Sequence, residues 1–160
     1  PLVLDADALN VLSRQENSLA LIPRGSILTP HPKEFERLFG PSADSFEENE
    51  RQRRHARELG IYIILKRAHT AIACPDGSCY FNSTGNPGMA TGGSGDVLTG
   101  IITGLLAQGY SARSAALVGV YLHGLAGDLA AEALEHESLI AGDLVRYLGN
   151  AFMQLKRKIS

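Results

Sequence analysis

Seven of the chain's 17 glycines, Gly85, Gly88, Gly92, Gly93, Gly95, Gly100 and Gly104, fall in one short stretch. The first five crowd the loop ahead of a helix, which Val97, Leu98, Ile101, Ile102, Leu105 and Leu106 mark as a wide apolar stripe at helical spacing. Glycine lets backbone N–H groups converge closely on a ligand, and the helix adds its unpaired N–H groups and positive dipole end. Together they predict an anion cradle suited to a phosphate. The loop is not a Walker A, because no Gly-Lys-Ser/Thr closes it. It also fails the dinucleotide fingerprint, since Leu98 stands where a third glycine is needed after Gly93 and Gly95. Asp96 lies in the same turn as a candidate general base for a substrate hydroxyl, with a simple charge at a helix N-terminus as the alternative.

The rest of the chain supplies a frame for that loop. Leu2 to Leu4 and Ser26 to Thr29 are short apolar runs that suit strands buried on both faces of a parallel sheet. The first ends in Asp5-Ala6-Asp7-Ala8-Leu9-Asn10, where open α/β sheets place ligands. Asp5, Asp7 and Asn10 therefore read either as substrate-loop residues or as helix caps. Pro30-His31-Pro32 breaks the second run before a helix with Phe35, Leu38 and Phe39 on one face. Phe46 to Leu59 is a charged helix ended by Gly60. Its acids and bases alternate at helical-neighbour spacing, which predicts a solvated, ion-paired face rather than a nucleic-acid site. Ile61 to Leu65 is a third strand, followed by a hairpin from Thr70 to Asn82 around Pro75-Asp76-Gly77. Small residues on a helix from Ser111 permit close packing, with His123 and Asp128 meeting polar needs beside the core. Ala141 to Lys156 is a last amphipathic helix. This is one α/β domain with no internal repeat.

Composition narrows the function classes. A net charge of -2 offers no global field for nucleic acid or an anionic membrane. Glycines and polar residues interrupt the apolar runs, so no membrane span is expected. Cys74 and Cys79 read as two free thiols of a cytoplasmic protein, or as a pair facing each other across the hairpin turn.

Four segments carry a resemblance. Val3 to Asn10, Leu28 to Phe35, Lys66 to Thr70 and Thr84 to Gly100 resemble, in that order, the ADP- or ATP-dependent NAD(P)H-hydrate dehydratases, a branch of the ribokinase-like superfamily. The resemblance implies a three-layer α/β/α sandwich on a mostly parallel sheet, with residues 1–160 forming the C-terminal portion of one domain. It implies dehydration of the S form of NAD(P)H hydrate, by phosphorylation of its hydroxyl and elimination of phosphate. Asp96 would be the base, His31 and Asn86 would join it at the hydrate, and Lys66, Arg67, Ala68, His69, Thr70, Gly93, Ser94 and Gly95 would hold ADP or ATP. Glu34, the glutamate of Thr29-Pro30-His31-Pro32-Lys33-Glu34, would stand near Mg²⁺ through water, or would merely stabilise its helix. Arg67 stands where the family commonly has glycine, which predicts a changed backbone path near the nucleotide. Self-association and a fused or separate epimerase are further expectations. The alternatives are a related vitamin kinase, which would stop at the phosphorylated product, and a non-catalytic nucleotide-binding protein.

Overall fold

Three apolar runs pair side by side as parallel strands in the computed structural model, which describes residues 1–159. β1 (Val3–Leu4), β2 (Ile27–Leu28) and β3 (Tyr62–Leu65) place Val3 opposite Ile27 and Ile27 opposite Tyr62. β4 (Ala71–Ala73) and β5 (Cys79–Phe81) form the expected hairpin, which joins β3 antiparallel with Ile64 opposite Ile72. Among the described residues the five strands lie in sequence order, with two parallel pairings followed by two antiparallel ones. Regular pairing is shorter than the apolar runs, yet the ladder continues through their ends: the Tyr62 N–H donates to Ser26 O and the Lys66 N–H to Pro30 O, both at 2.9 Å.

Alternation along the strands builds two cores. Leu28, Ile63, Leu65 and Ala73 face one side, where Leu9 of α1 (Ala6–Leu12), Phe35 and Phe39 of α2 (Pro32–Phe39) and Ala56 of α3 (Ser45–Leu59) cover them. Ile27, Ile64 and Ile72 face the other. There Leu98, Ile101, Ile102 and Leu105 of α4 (Ser94–Ala107) and Ala115, Ala116 and Val120 of α5 (Ala112–Leu134) pack on them. α6 (Ala141–Ile159) closes over α4 and α5 through Leu148 and Phe152. Each fully buried Ile or Leu contributes about 1.5–3 kcal/mol of transfer free energy, so the strand pattern alone enforces a helix–sheet–helix sandwich.

Gly60 ends α3 at φ 68°, the left-handed cap its position predicts. On α3 the Arg51–Glu47 and Arg53–Glu50 pairs, at 2.7 and 2.8 Å, form the expected ion-paired face. Its buried Gln52 donates to the Ile63 and Ala71 carbonyls, tying the helix to β3 and β4.

Two expectations need correction. Cys79 sits opposite Ala73, and the Cys74 N–H bonds to Ser78 O, so the cysteines occupy successive pairs and point to opposite faces of the hairpin. Both are free thiols, Cys74 buried. Among the described residues one helix, α5, is by length and composition alone apolar enough to cross a membrane. Here it is a core helix with 56% of its apolar window buried, and its glycines admit neighbours: a Cβ at Gly119 would stand 2.8 Å from Ile102 Cγ1.

Candidate active site

The segments that leave the parallel strands carry Asp5 after β1, His31 beyond Thr29-Pro30 after β2 and Lys66 after β3. The C-terminal edge of the strands is where open α/β sheets bind ligands. Asp5 occupies the N-cap position of α1 but makes no side-chain cap bond. Its carboxylate, 9% exposed, instead accepts from Lys66 Nζ at 2.8 Å and from Thr99 Oγ1 at 3.0 Å. Gly95 lies against the same pair, since a Cβ there would sit 3.3 Å from Lys66 Nζ and 3.5 Å from Asp5 Oδ2. The next residue, Ala6, is held at φ 46° in the left-handed region, which costs an alanine roughly 1–2 kcal/mol.

The glycine loop opens α4 as expected. Gly93 is its N-cap at φ 87°, with no side chain capping the helix, whereas α2, α3 and α5 are capped by His31, Asp44 and Ser111. The Ser94 N–H turns back to Thr91 O at 3.3 Å. No carbonyl outside the helix accepts from Gly95 or Asp96 among the described residues, and a helix's first turn has no internal acceptor for them. The N–H groups of Gly95 and Asp96 therefore stand open at the start of α4, within the loop read as the anion cradle. Asp96 is exposed in this first turn, with no side-chain bond among the described residues. Ser94 is buried, and His123 Nε2 stands 2.9 Å from its carbonyl and 3.3 Å from its hydroxyl. Burial pulls the His123 pKa below its ordinary value, the Ser94 carbonyl opposes that, and the Lys66 charge adds to it. A neutral ring donating from Nε2 thus props the loop from below.

His31 N-caps α2. Its Nδ1 accepts from the Lys33 and Glu34 N–H groups at 3.1 and 3.3 Å, which leaves the ring proton on Nε2, 3.3 Å from Glu34 Oε1. Glu34 in turn accepts from the His31 N–H at 2.8 Å. The turn-residue and helix-stabiliser readings of this pair are therefore realised, while the ring remains 45% exposed toward solvent. Among the described residues no three His, Cys, Asp or Glu side chains gather as a metal site. Glu34 is committed to His31, and Asp5 to Lys66 and Thr99. These residues do not fit a magnesium ion as direct ligands, which would need open carboxylate oxygens.

The NAD(P)H-hydrate dehydratase family model matches residues 1–149. The chain belongs to this family. It is 41% identical to the ADP-dependent (S)-NAD(P)H-hydrate dehydratase of Neisseria meningitidis, across all of this chain and 54% of that protein. It is 47% identical to the bifunctional NAD(P)H-hydrate repair enzyme Nnr of Moorella thermoacetica, across 99% of this chain and 30% of that protein. The Bacillus subtilis ADP/ATP-dependent NAD(P)H-hydrate dehydratase, co-crystallised with ATP/Mg²⁺, superposes with a TM-score of 0.83 at 36% identity, over 96% of this chain and 55% of that one. The fold is ribokinase-like. The chain spans about half the length of the single-function dehydratases it matches and under a third of the bifunctional enzyme.

The other residues expected from the dehydratase resemblance fall into two groups. Arg67, Ala68 and His69 are exposed in the turn after β3, closed where the Thr70 hydroxyl donates to Arg67 O at 3.2 Å. Arg67 has no positive φ and reaches out to Glu48 at 2.7 Å, so the arginine occupies this turn without left-handed strain. Asn86 belongs to a separate cluster. Its Oδ1 accepts from the Gly88 N–H at 3.1 Å and its Nδ2 donates to Asp128 Oδ1 at 2.9 Å, while Asp128 Oδ2 takes the Gly85 N–H at 2.9 Å. Asp128 thus shapes the segment that leads into the glycine loop. Sequence reading left Thr99 unremarked: a threonine one turn beyond Asp96 carries no local signal of a partner on β1.

Proposed function

We propose that this chain carries the nucleotide site and catalytic base of a dehydratase that returns the S form of NAD(P)H hydrate to NAD(P)H at the expense of ADP or ATP. The observation that supports the reading most directly is the exposed Asp96 carboxylate in the uncapped first turn of α4, with the Lys66 ammonium alongside at Gly95. Open N–H groups and a cation favour the nucleotide's terminal phosphoryl group and the charge that spreads over it during transfer. Asp96, in the same turn, is placed to accept the proton of the hydrate's C6 hydroxyl as its oxygen forms the new P–O bond. Hydroxide leaves poorly and phosphate leaves well. The ring nitrogen's lone pair then breaks the C6–O bond, and loss of the C5 proton restores the dihydropyridine. His31 would meet the nicotinamide with its exposed ring edge, and Asn86 would line the hydrate side. Lys66, Arg67, Ala68, His69, Thr70, Gly93, Ser94 and Gly95 would hold the adenine nucleotide. Magnesium would arrive on the phosphates with Glu34 outside its ligand shell. A cytoplasmic setting, consistent with two free thiols, self-association and cooperation with an epimerase complete the proposal.

The full-length protein, given NADPH hydrate and ADP or ATP, should regenerate NADPH and release inorganic phosphate in equal amounts. Phosphorylation of a vitamin alcohol, with no phosphate released from the hydrate, would overturn this reading in favour of a kinase.

A further inference from the structure

We propose that Asp5, steadied by Thr99, is the positioning residue that fixes the Lys66 ammonium at the mouth of the glycine loop. The inference rests on the nucleotide reading above and goes beyond it, to what prepares the lysine before any nucleotide arrives. A lysine carries much side-chain rotamer entropy, and an ammonium beside the first turn of a helix meets the positive end of its dipole. Left alone, Lys66 would swing away from α4 into water. Asp5 opposes both effects: its nearly buried carboxylate takes Lys66 Nζ at 2.8 Å, directly beside Gly95. The other oxygen is held by Thr99 Oγ1 at 3.0 Å, from the second turn of the same helix. The ion pair is thus locked to α4 rather than floating beside it.

Two features mark this as more than a structural ion pair. Asp5 sits at the N-cap of α1 and leaves that cap unmade, although an Asp cap bond ordinarily stabilises its helix. Lys66 retains 23% exposure, so the ammonium keeps N–H donors for a phosphate after Asp5 has taken one. Gly95 is the third part of the device. It has no positive φ, so its backbone tolerates alanine, but a methyl there would press on Lys66 Nζ at 3.3 Å.

The test is a double-mutant cycle in the full-length protein, reading the ADP Kd by calorimetry beside Tm. Asp5→Asn and Thr99→Val are close in shape to what they replace. In the Lys66 background, Asp5→Asn should weaken ADP about tenfold and Thr99→Val several-fold, whereas Thr99→Ser should bind like the unaltered protein. In a Lys66→Met background, Asp5→Asn should change Kd less than twofold, because the group it positions is gone. Equal effects in both backgrounds, or tighter ADP binding by Asp5→Asn, would overturn the proposal and make Asp5 an independent contact or a rival of the phosphate. Should the unaltered protein bind no ADP, the nucleotide reading fails and this inference with it. ADP binding with an additive cycle fails the inference alone.

Discussion

Asp96 stands in the first turn of α4 with its carboxylate exposed, and the role assigned to it separates from nucleotide binding. Asp96→Asn keeps the size and much of the hydrogen-bonding capacity but removes the base. Single-turnover phosphate release from NADPH hydrate in the full-length protein should therefore fall by about 10²–10⁴-fold. ADP affinity by calorimetry should hold or rise, since a negative charge near the phosphates has gone. Loss of binding together with fold would mean a structural residue. A second residue-scale outcome follows from His123. Burial, resisted by the Ser94 carbonyl and reinforced by Lys66, keeps its folded-state pKa below 6.5. The unfolded chain then takes up a proton near 6.5 that the folded chain refuses. The stabilising contribution of the neutral ring is complete above that pH and declines as pH falls through the window beneath it. His55 is lowered in the same direction by burial and by Arg54, so both rings share this acid limb. Tm should drop between about pH 7 and pH 5, and His123→Gln, which can still donate to Ser94 O, should flatten part of the slope. An unchanged slope would assign the limb to other groups.

At the scale of elements, α4 and α5 use glycine for opposite reasons. A Cβ at Gly124 of α5 would stand 2.7 Å from the Thr84 carbonyl carbon and oxygen, backbone atoms that have little freedom to retreat. Nothing lies within 4 Å of the same position at Gly100 of α4. Gly124→Ala should therefore destabilise: overpacking costs about 1–3 kcal/mol, against about 1 kcal/mol gained in helix propensity. Because the Thr84 to Met89 segment lies on that face, it should also become more susceptible to proteolysis. Gly100→Ala should instead stabilise by about 1 kcal/mol. Paired denaturant unfolding of the two variants checks the signs, and equal effects would show that α5 does not approach the loop this closely.

For the whole molecule, strands, loop and helices converge on the proposed nucleotide site, so its occupation should be felt throughout the fold. A ligand at about 100 times its Kd stabilises by about 2.7 kcal/mol. In a chain of this length that raises Tm by roughly 5–11 °C. ADP should produce such a shift, and inorganic phosphate, lacking the adenosine contacts, a smaller one. A flat Tm across an ADP titration would remove the nucleotide site.

Local chemistry was legible wherever the deciding neighbours are close in sequence. Gly60 caps α3, Pro75-Asp76-Gly77 turns the hairpin, and the glycine loop opens α4, because each depends on backbone conformations set within a few residues. The all-apolar strand runs likewise indicate a sheet covered on both faces, and both faces carry a core. The Asp5 contacts are of another kind. Its lysine is 61 positions away and its threonine 94. Asp5 was read both as a cap and as a ligand-loop residue, and only the parallel order of β1, β2 and β3, with α4 laid beside β1, decides that its carboxylate serves Lys66 and not its own helix. Likewise Asn86 meets Asp128 across 42 positions, because glycines on α5 admit the loop. Residue type and spacing determine which groups are able to form such bonds; the sheet's strand order and the approach of helices determine which of them meet.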